Sequence, residues 1–229
     1  MINGNRVEKL RIGVLASGGG TNLQSIIDAC AAGKIHGRIV RVLCNNPDAG
    51  ALQRAEKAGL SHCCINHRDF ERREDFDQAV VGQLQQDGVE LVVLAGFMRI
   101  IGKAFLDAFP GRIMNIHPAL LPSFPGLHVQ KKALDYGARF AGCTVHFVDG
   151  GVDTGPIIVQ AVVPVLDDDT EDSLSARILE QEHRIYPYAI ELFAQGQLKI
   201  EGRRVKVLSQ PDTPSQALIN PPIFSSSLS

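Results

Sequence analysis

RIGVLASGGGTNLQSIIDACAA, residues 11–32, is the stretch that decides the fold class. Arg11–Ser17 is an apolar run of strand length. Asn22–Ala32 then carries Leu23, Ile26, Ile27 and Cys30 on one helical stripe, with a glycine-rich turn between the two. A change of hydrophobic period from strand to helix across so short a turn is the opening of a βα unit. Outward from it the alternation repeats. Arg38–Cys44 reads as a strand, Gly50–Ala58 as a helix, His62–Ile65 as a short strand, and Glu71–Gln86 as a helix with Phe76, Ala79, Val80 and Leu84 at helical spacing. Glu90–Ala95 (ELVVLA) is a continuous apolar run, as expected of a strand buried on both faces.

Beyond it the pattern predicts a short helix over Gly102–Phe109, a strand over Arg112–His117 and a helix over Val129–Tyr136. Gly142–Val148 and Pro156–Val165 form a strand pair whose short acidic, glycine-rich connection allows an antiparallel arrangement. A helix over Glu171–Ala194 opens with Asp169 or Thr170 as its cap. Leu198–Ile200 and Arg204–Leu208, around Glu201-Gly202, make a closing hairpin. The expected fold is therefore α/β: a mainly parallel sheet flanked by helices, with antiparallel strands towards the C-terminus. Residues 10–208 form one domain in this reading, and Ser209–Ser229, rich in Ser and Pro, is expected to be a flexible tail.

Composition narrows the function classes. At 229 residues, with 45% hydrophobic and 21% charged, the chain can bury a sizeable single core. Its formal net charge of −2 provides no general electrostatic footprint for nucleic acid or an anionic membrane. The cysteines at 30, 44, 63, 64 and 143 form no CxxC pair, and reduced thiols in a cytoplasmic protein are the simplest account. The polar N-terminus has no signal-peptide pattern, and no run approaches the roughly 18 apolar residues of a membrane span. The histidines show neither HxH nor HExxH spacing, so no metal is expected. A Gly-x-Ser-x-Gly nucleophile elbow is likewise absent.

Three features carry chemistry. Ser17-Gly18-Gly19-Gly20-Thr21-Asn22 leads into the first helix, where bare amides cradle phosphate. It lacks the third glycine of a dinucleotide fingerprint and the Gly-Lys-Ser/Thr ending of a Walker loop, so a phosphate monoester fits better. In the strand Arg112–His117, Asn115 and His117 lie two apart and face one side, and Pro118 stops the ladder. Asp153, in the loop Asp149-Gly150-Gly151-Val152-Asp153, is the natural partner for His117. Asn, His and Asp together suit a reaction in which a carbonyl oxygen becomes an oxyanion beside an acid/base group. Alone, each residue has a simpler reading: a structural histidine, or aspartates serving turn chemistry. Thirdly, Glu182 falls on the apolar stripe of the last helix with Leu174, Ile178, Ile185, Ala189 and Leu192; it either meets a ligand donor or reaches water at the helix edge. Phe97-Met98-Arg99-Ile100-Ile101, an apolar loop with one guanidinium, suits a flat aromatic ligand with polar edges, or plain core packing with Arg99 turned outwards.

Taken together, ASGGGTNLQSII (16–27), LAGFMRII (94–101), MNIHPALLPSFPGLH (114–128), VDGGVDTGPII (148–158) and QEHRIYP (181–187) resemble the phosphoribosylglycinamide formyltransferases. The resemblance runs in order from Leu10 to Leu208. It implies a Rossmann-like formyltransferase fold and transfer of a formyl group from 10-formyltetrahydrofolate to the amine of glycinamide ribonucleotide, in purine biosynthesis. It assigns Asn115, His117 and Asp153 to catalysis, and Gly20, Thr21, Asn22 and Glu182 to the ribonucleotide. Arg73, Met98, Arg99, Ile100, Ile101, Asn115 and the loop Asp149, Gly150, Gly151, Val152 and Asp153 fall to the folate. A cis Leu121-Pro122 bond is implied too, as are small-molecule partners only, a monomer or homodimer, and a cytoplasmic location. Gly19 and Thr21 stand where many relatives carry Asn and Ser, changes that backbone binding tolerates.

The neighbouring alternatives are a 10-formyltetrahydrofolate hydrolase, expected to begin with an extra regulatory domain, and a formyltransferase for another amine. A methionyl-tRNA formyltransferase is expected to add a C-terminal nucleic-acid-binding domain. From another class, a non-catalytic binder of folate or sugar phosphate has no need of Asn115, His117 and Asp153.

Overall fold

Alternation along the apolar strands determines how the layers stack. A computed structural model describes residues 8–208, so the expectation for Ser209–Ser229 lies outside the described residues. The chain runs β1 (Leu10–Ala16), α1 (Thr21–Ala31), β2 (Gly37–Cys44), α2 (Gly50–Lys57), β3 (His62–Cys64), α3 (Arg73–Gln86) and β4 (Leu91–Leu94). It continues with α4 (Lys103–Ala108), β5 (Ile113–His117), α5 (Val129–Tyr136), β6 (Phe140–Phe147), β7 (Ile157–Pro164), α6 (Glu171–Ala194), β8 (Leu198–Glu201) and β9 (Arg204–Val207). Ile12, Val14, Val42, Leu91, Val93, Met114 and Ile116 pack on one face with α1, α2 and α6. The intervening Leu15, Leu43, Val92, Leu94 and Ile113 pack on the other with α3 and α4. That is the period of two expected of strands buried on both sides.

The sheet order is β3-β2-β1-β4-β5-β6-β7-β9-β8. From β3 to β5 all neighbours are parallel, whereas β6 runs antiparallel to both β5 and β7. Strand order reverses between β1 and β4, so the crevice beyond their C-terminal ends is the place where such sheets bind ligands. The expected hairpin is present, with β8 antiparallel to β9, and β9 also joins the sheet in parallel with β7 at Ile157 and Arg204. Among the described residues no helix is long and apolar enough to cross a membrane.

The start of α6 is locked by side chains. Thr170 is its cap, with a reciprocal box in which the Ser173 N–H donates to Thr170 Oγ1 and the Thr170 N–H to Ser173 Oγ. Asp169, one residue earlier, accepts from Arg177 in bidentate fashion at 2.7 and 2.8 Å, from the Leu166 N–H at 2.8 Å and from the Ser173 hydroxyl at 2.7 Å. The Arg177 hydrogen bonds hold the Asp169 carboxyl well below the usual carboxylate range, overcoming the opposing effect of burial. Its folded value therefore lies below the unfolded value of about 3.9, so its stabilisation is complete above that pH and is lost as pH falls through the folded value. Asp169→Ala is expected to destabilise the protein by about 2–4 kcal/mol at pH 7, measured by urea unfolding, and the difference should shrink below about pH 4.

Candidate active site

The glycine turn is anchored from behind. The Gly18 carbonyl accepts from the Ala51 N–H at 3.0 Å, and the Gly19 carbonyl from Arg54 Nε at 2.7 Å, both on α2. In a trans peptide the carbonyl and the following N–H point in opposite directions. With both carbonyls drawn towards α2, the N–H groups of Gly19 and Gly20 face away from it. Gly20 caps α1 in the left-handed region (φ 73°) with no side-chain cap bond, which leaves the first amides of α1 available to an anion. A Cβ at Gly20 would lie 2.8 Å from Ala51, so the position requires glycine on both counts.

Beside the turn, Glu182 on α6 is 6% exposed, which rules out the reading in which its head reaches water. Its Oε2 accepts from Asn22 Nδ2 at 2.7 Å, and burial raises its carboxyl above the ordinary value against that hydrogen bond. Asn22 Oδ1 is buried with no partner. The pair therefore presents acceptors to a ligand carrying N–H or O–H groups. A hollow of about 740 Å³ between α1 and α6 begins at Thr21 and is bordered by Arg54 and His183, away from Asn115 and His117.

Chemistry centres on the tip of β5. Pairing of β5 with β6 sets His146 directly opposite Asn115. His146 Nδ1 lies 2.8 Å from the Phe147 carbonyl, so that nitrogen carries the proton and Nε2 is left to accept from Asn115 Nδ2 at 3.2 Å. Burial pushes His146 below the usual imidazole value, outweighing the Phe147 carbonyl and Asp153. A neutral His146 thus fixes the Asn115 amide and leaves its second N–H free. The 3.7 Å approach of His146 Nε2 to Asp153 is then a contact between a lone pair and a carboxylate rather than an ion pair.

His117, 4% exposed, lies between two acceptors. Its Nε2 donates to the Phe124 carbonyl at 2.9 Å, and its Nδ1 faces Asp153 Oδ2 at 3.4 Å. Each ring nitrogen thus has an oxygen acceptor as its neighbour. Asp153 Oδ2 also accepts from the Gly126 N–H at 2.9 Å. Phe124 and Asp153 both occupy positive φ (52° and 54°), and Leu121-Pro122 is cis, as the resemblance implied. Fully buried Tyr186 braces the strand ends from the opposite face: its hydroxyl is 3.0 Å from the carbonyls of both Leu94 and Met114.

The two lips flanking β5 differ. On the β4 side Met98 and Ile100 are 71% and 58% exposed, while Ile101 turns into the core. Arg99 is not turned outwards; its guanidinium lies 5.0 Å from the Phe76 ring, and its Nε is buried without an acceptor. Arg73 Nη2 donates to the Ile100 carbonyl at 2.6 Å. On the β6 side Asp149 performs turn chemistry, accepting from the Gly151 N–H and the Thr154 hydroxyl, while Val152 is half exposed. Exposed apolar side chains thus line the β4-side lip, while the Arg99 Nε lies beneath the surface. The sequence reading missed His146, Phe124 and Gly126. Cross-strand register would have found His146, whereas the other two act through backbone atoms. Among the described residues no cluster of His, Cys, Asp or Glu could hold a metal ion.

Residues 10–190 match the model of the formyl transferase family. The chain is 46% identical over 191 residues to the phosphoribosylglycinamide formyltransferase of Escherichia coli, covering 83% of this chain and 90% of that one. It is 50% identical over 188 residues, 81% of its length, to the trifunctional purine biosynthetic protein adenosine-3 of Drosophila melanogaster, of which it spans 14%. Glycinamide ribonucleotide transformylase 1 of Symbiobacterium toebii superposes with a TM-score of 0.87 at 54% identity, covering 88% of this chain and 95% of that one. The chain belongs to the formyl transferase family and, within it, to the phosphoribosylglycinamide formyltransferases.

Proposed function

We propose that the protein transfers the formyl group of 10-formyltetrahydrofolate to the amine of N1-(5-phosphoribosyl)glycinamide, in purine biosynthesis. The observation that carries the reading is the Asn115–His117–Asp153 constellation at the tip of β5, in which His117 is buried and Asn115 and Asp153 are half-buried. The anchored phosphate turn and the Asn22–Glu182 pair supply its ribonucleotide site. With it go small-molecule partners only, no metal, a cytoplasmic location, and a monomer or homodimer.

The folate supplies an electrophilic formyl carbon. Gly20, Thr21 and Asn22 present the amides that hold the phosphate, while Glu182 and Asn22 accept from the ribonucleotide's donors and orient its amine. Asn115, its amide fixed by His146, directs its free N–H at the carbonyl oxygen as that oxygen gains charge. His117, exchanging the Phe124 carbonyl for this oxygen, sets a cationic donor on it. Asp153 faces His117 Nδ1 and relays the proton lost by the attacking amine, through water, to N10 of the folate as the formyl–N10 bond breaks and tetrahydrofolate leaves.

The test mixes purified protein with both substrates and follows tetrahydrofolate release, alongside a control without the ribonucleotide. Release that requires the ribonucleotide is the expected result. Equal release without it would replace this reading with a hydrolase, and none in either tube would leave a binder or another acceptor amine.

A further inference from the structure

The loop after β4 poses a holding problem. Met98 and Ile100 point outwards, so between the buried Phe97 and Ile101 the segment is held by its backbone. Three backbone handles are taken. The Met98 N–H donates to Ser17 Oγ at 2.8 Å, the Ile100 carbonyl accepts from Arg73 Nη2 at 2.6 Å, and the Gly102 N–H donates to the Asp77 carboxylate. Arg73 and Asp77 stand one turn apart on α3, with Nε and Oδ2 3.8 Å apart. A cation meets a carbonyl and an anion meets an N–H, so each charge has the sign its backbone partner demands.

Asp77 is the less expected member. It is a carboxylate whose side chain is 5% exposed, and such a group persists only where donors surround it. Besides Gly102, the charges facing it are Arg73 and Glu74 from its own helix and Arg99 from the loop. Approach to Gly102 is so close that a Cβ there would lie 2.1 Å from Asp77 Oδ2. Phe76, the preceding residue of α3, carries the Arg99 guanidinium over its ring. The loop is thus tied to α3 at Arg99, Ile100 and Gly102, and Asp77 pairs with both Arg73 and the far end of the segment.

We propose that Asp77 is a positioning residue for the formyl donor: through Arg73 and Gly102 it sets the Met98–Ile101 lip on which the donor lies. This rests on the functional reading above, in which that lip binds the folate. Asp77 acts through the loop and contributes nothing to the ribonucleotide site, which α1 and α6 build.

Steady-state kinetics on the full chain, varying each substrate in turn, tests it with Asp77→Ala, Asp77→Asn and Gly102→Ala. Asp77→Ala is expected to raise KM for 10-formyltetrahydrofolate about tenfold, with kcat and the ribonucleotide KM within about threefold of wild type. Asp77→Asn keeps an acceptor for the Gly102 N–H and should recover most of that loss. Gly102→Ala, which pushes the carboxylate away while leaving it in place, should reproduce the higher donor KM even where Asp77→Ala does not fold. An unchanged donor KM in folded Asp77→Ala or Gly102→Ala, or a fall in kcat with a parallel rise of both KM values, overturns the proposal. Should wild type show no transfer, the functional reading fails by itself. Calorimetric titration with tetrahydrofolate then decides: weaker binding to Gly102→Ala than to wild type, with Asp77→Asn close to wild type, supports the positioning role, and equal binding by Gly102→Ala or none by wild type overturns it.

Discussion

Asp153→Asn is expected to lower kcat by about two to four orders of magnitude while both KM values stay within a few-fold of wild type. The substitution is nearly silent in shape. Asparagine can accept the Gly126 N–H as Asp153 Oδ2 does at 2.9 Å, and it tolerates the left-handed backbone of this position (φ 54°) as readily as aspartate. What disappears is the negative charge 3.4 Å from His117 Nδ1. A neutral amide oxygen then faces Nδ1, so an imidazolium formed beside a developing oxyanion has no counter-charge, although the contacts made in the ground state survive. A loss confined to kcat is the signature of an interaction that matters only in the transition state. The measurement is a full kinetic comparison at several pH values. Turnover within about threefold of wild type across that range would remove Asp153 from the mechanism.

How much of this was legible beforehand depends on whether a feature is carried by side-chain pattern or by contacts between distant segments. Glu171–Ala194 was read with its observed bounds because an apolar stripe lies within it and its cap, Thr170, stands directly before it; Val129–Tyr136 was read so too, although no side chain caps its start and Gly137 closes it. Helix α3 begins at Arg73 rather than Glu71, since Arg72 is extended (φ −115°, ψ 140°), and a 3-10 turn at His67–Asp69 precedes it. Strand β6 starts at Phe140, ahead of the Gly142 expected from the sequence. The parallel contact of β9 with β7 leaves no mark in either segment's pattern. At the site, Asn115 and His117 announced themselves as polar residues in an apolar strand, and Glu182 as a charge on an apolar stripe. His146 did not, because alternation tells which face a residue takes but not which residue stands opposite it. The Phe124 carbonyl and the Gly126 N–H belong to the backbone, and no residue type encodes their use. Asp77 looks from sequence like half of an ordinary i,i+4 pair with Arg73; only the fold shows it buried against Gly102.

His117→Ala is expected to be the more severe lesion, lowering kcat by about three orders of magnitude or more, equivalent to roughly 4 kcal/mol of transition-state stabilisation. Two functions leave with the ring. In the proposed mechanism it is the cationic donor beside Asn115, and in the structure it joins the Phe124 carbonyl at 2.9 Å to Asp153 at 3.4 Å across the site. Alanine leaves the Asp153 carboxylate with the Gly126 N–H and the nearby neutral His146, so the loop through Phe124 and Gly126 loosens as well. The ribonucleotide site proposed above lies elsewhere, at the turn before α1 and Glu182 on α6, and its KM should therefore move little. The two losses can be separated. Free imidazole can enter the space vacated by a buried side chain, supplying the cation without rebuilding the covalent link through the strand. A partial, saturable recovery of kcat with added imidazole is the expected result if the charge dominates, while no recovery alongside a raised folate KM would assign the effect to the loop. Thermal unfolding run in parallel shows whether the fold persists. Near-normal turnover in a folded His117→Ala protein would mean that the oxyanion is stabilised by Asn115 alone and that the imidazole is structural.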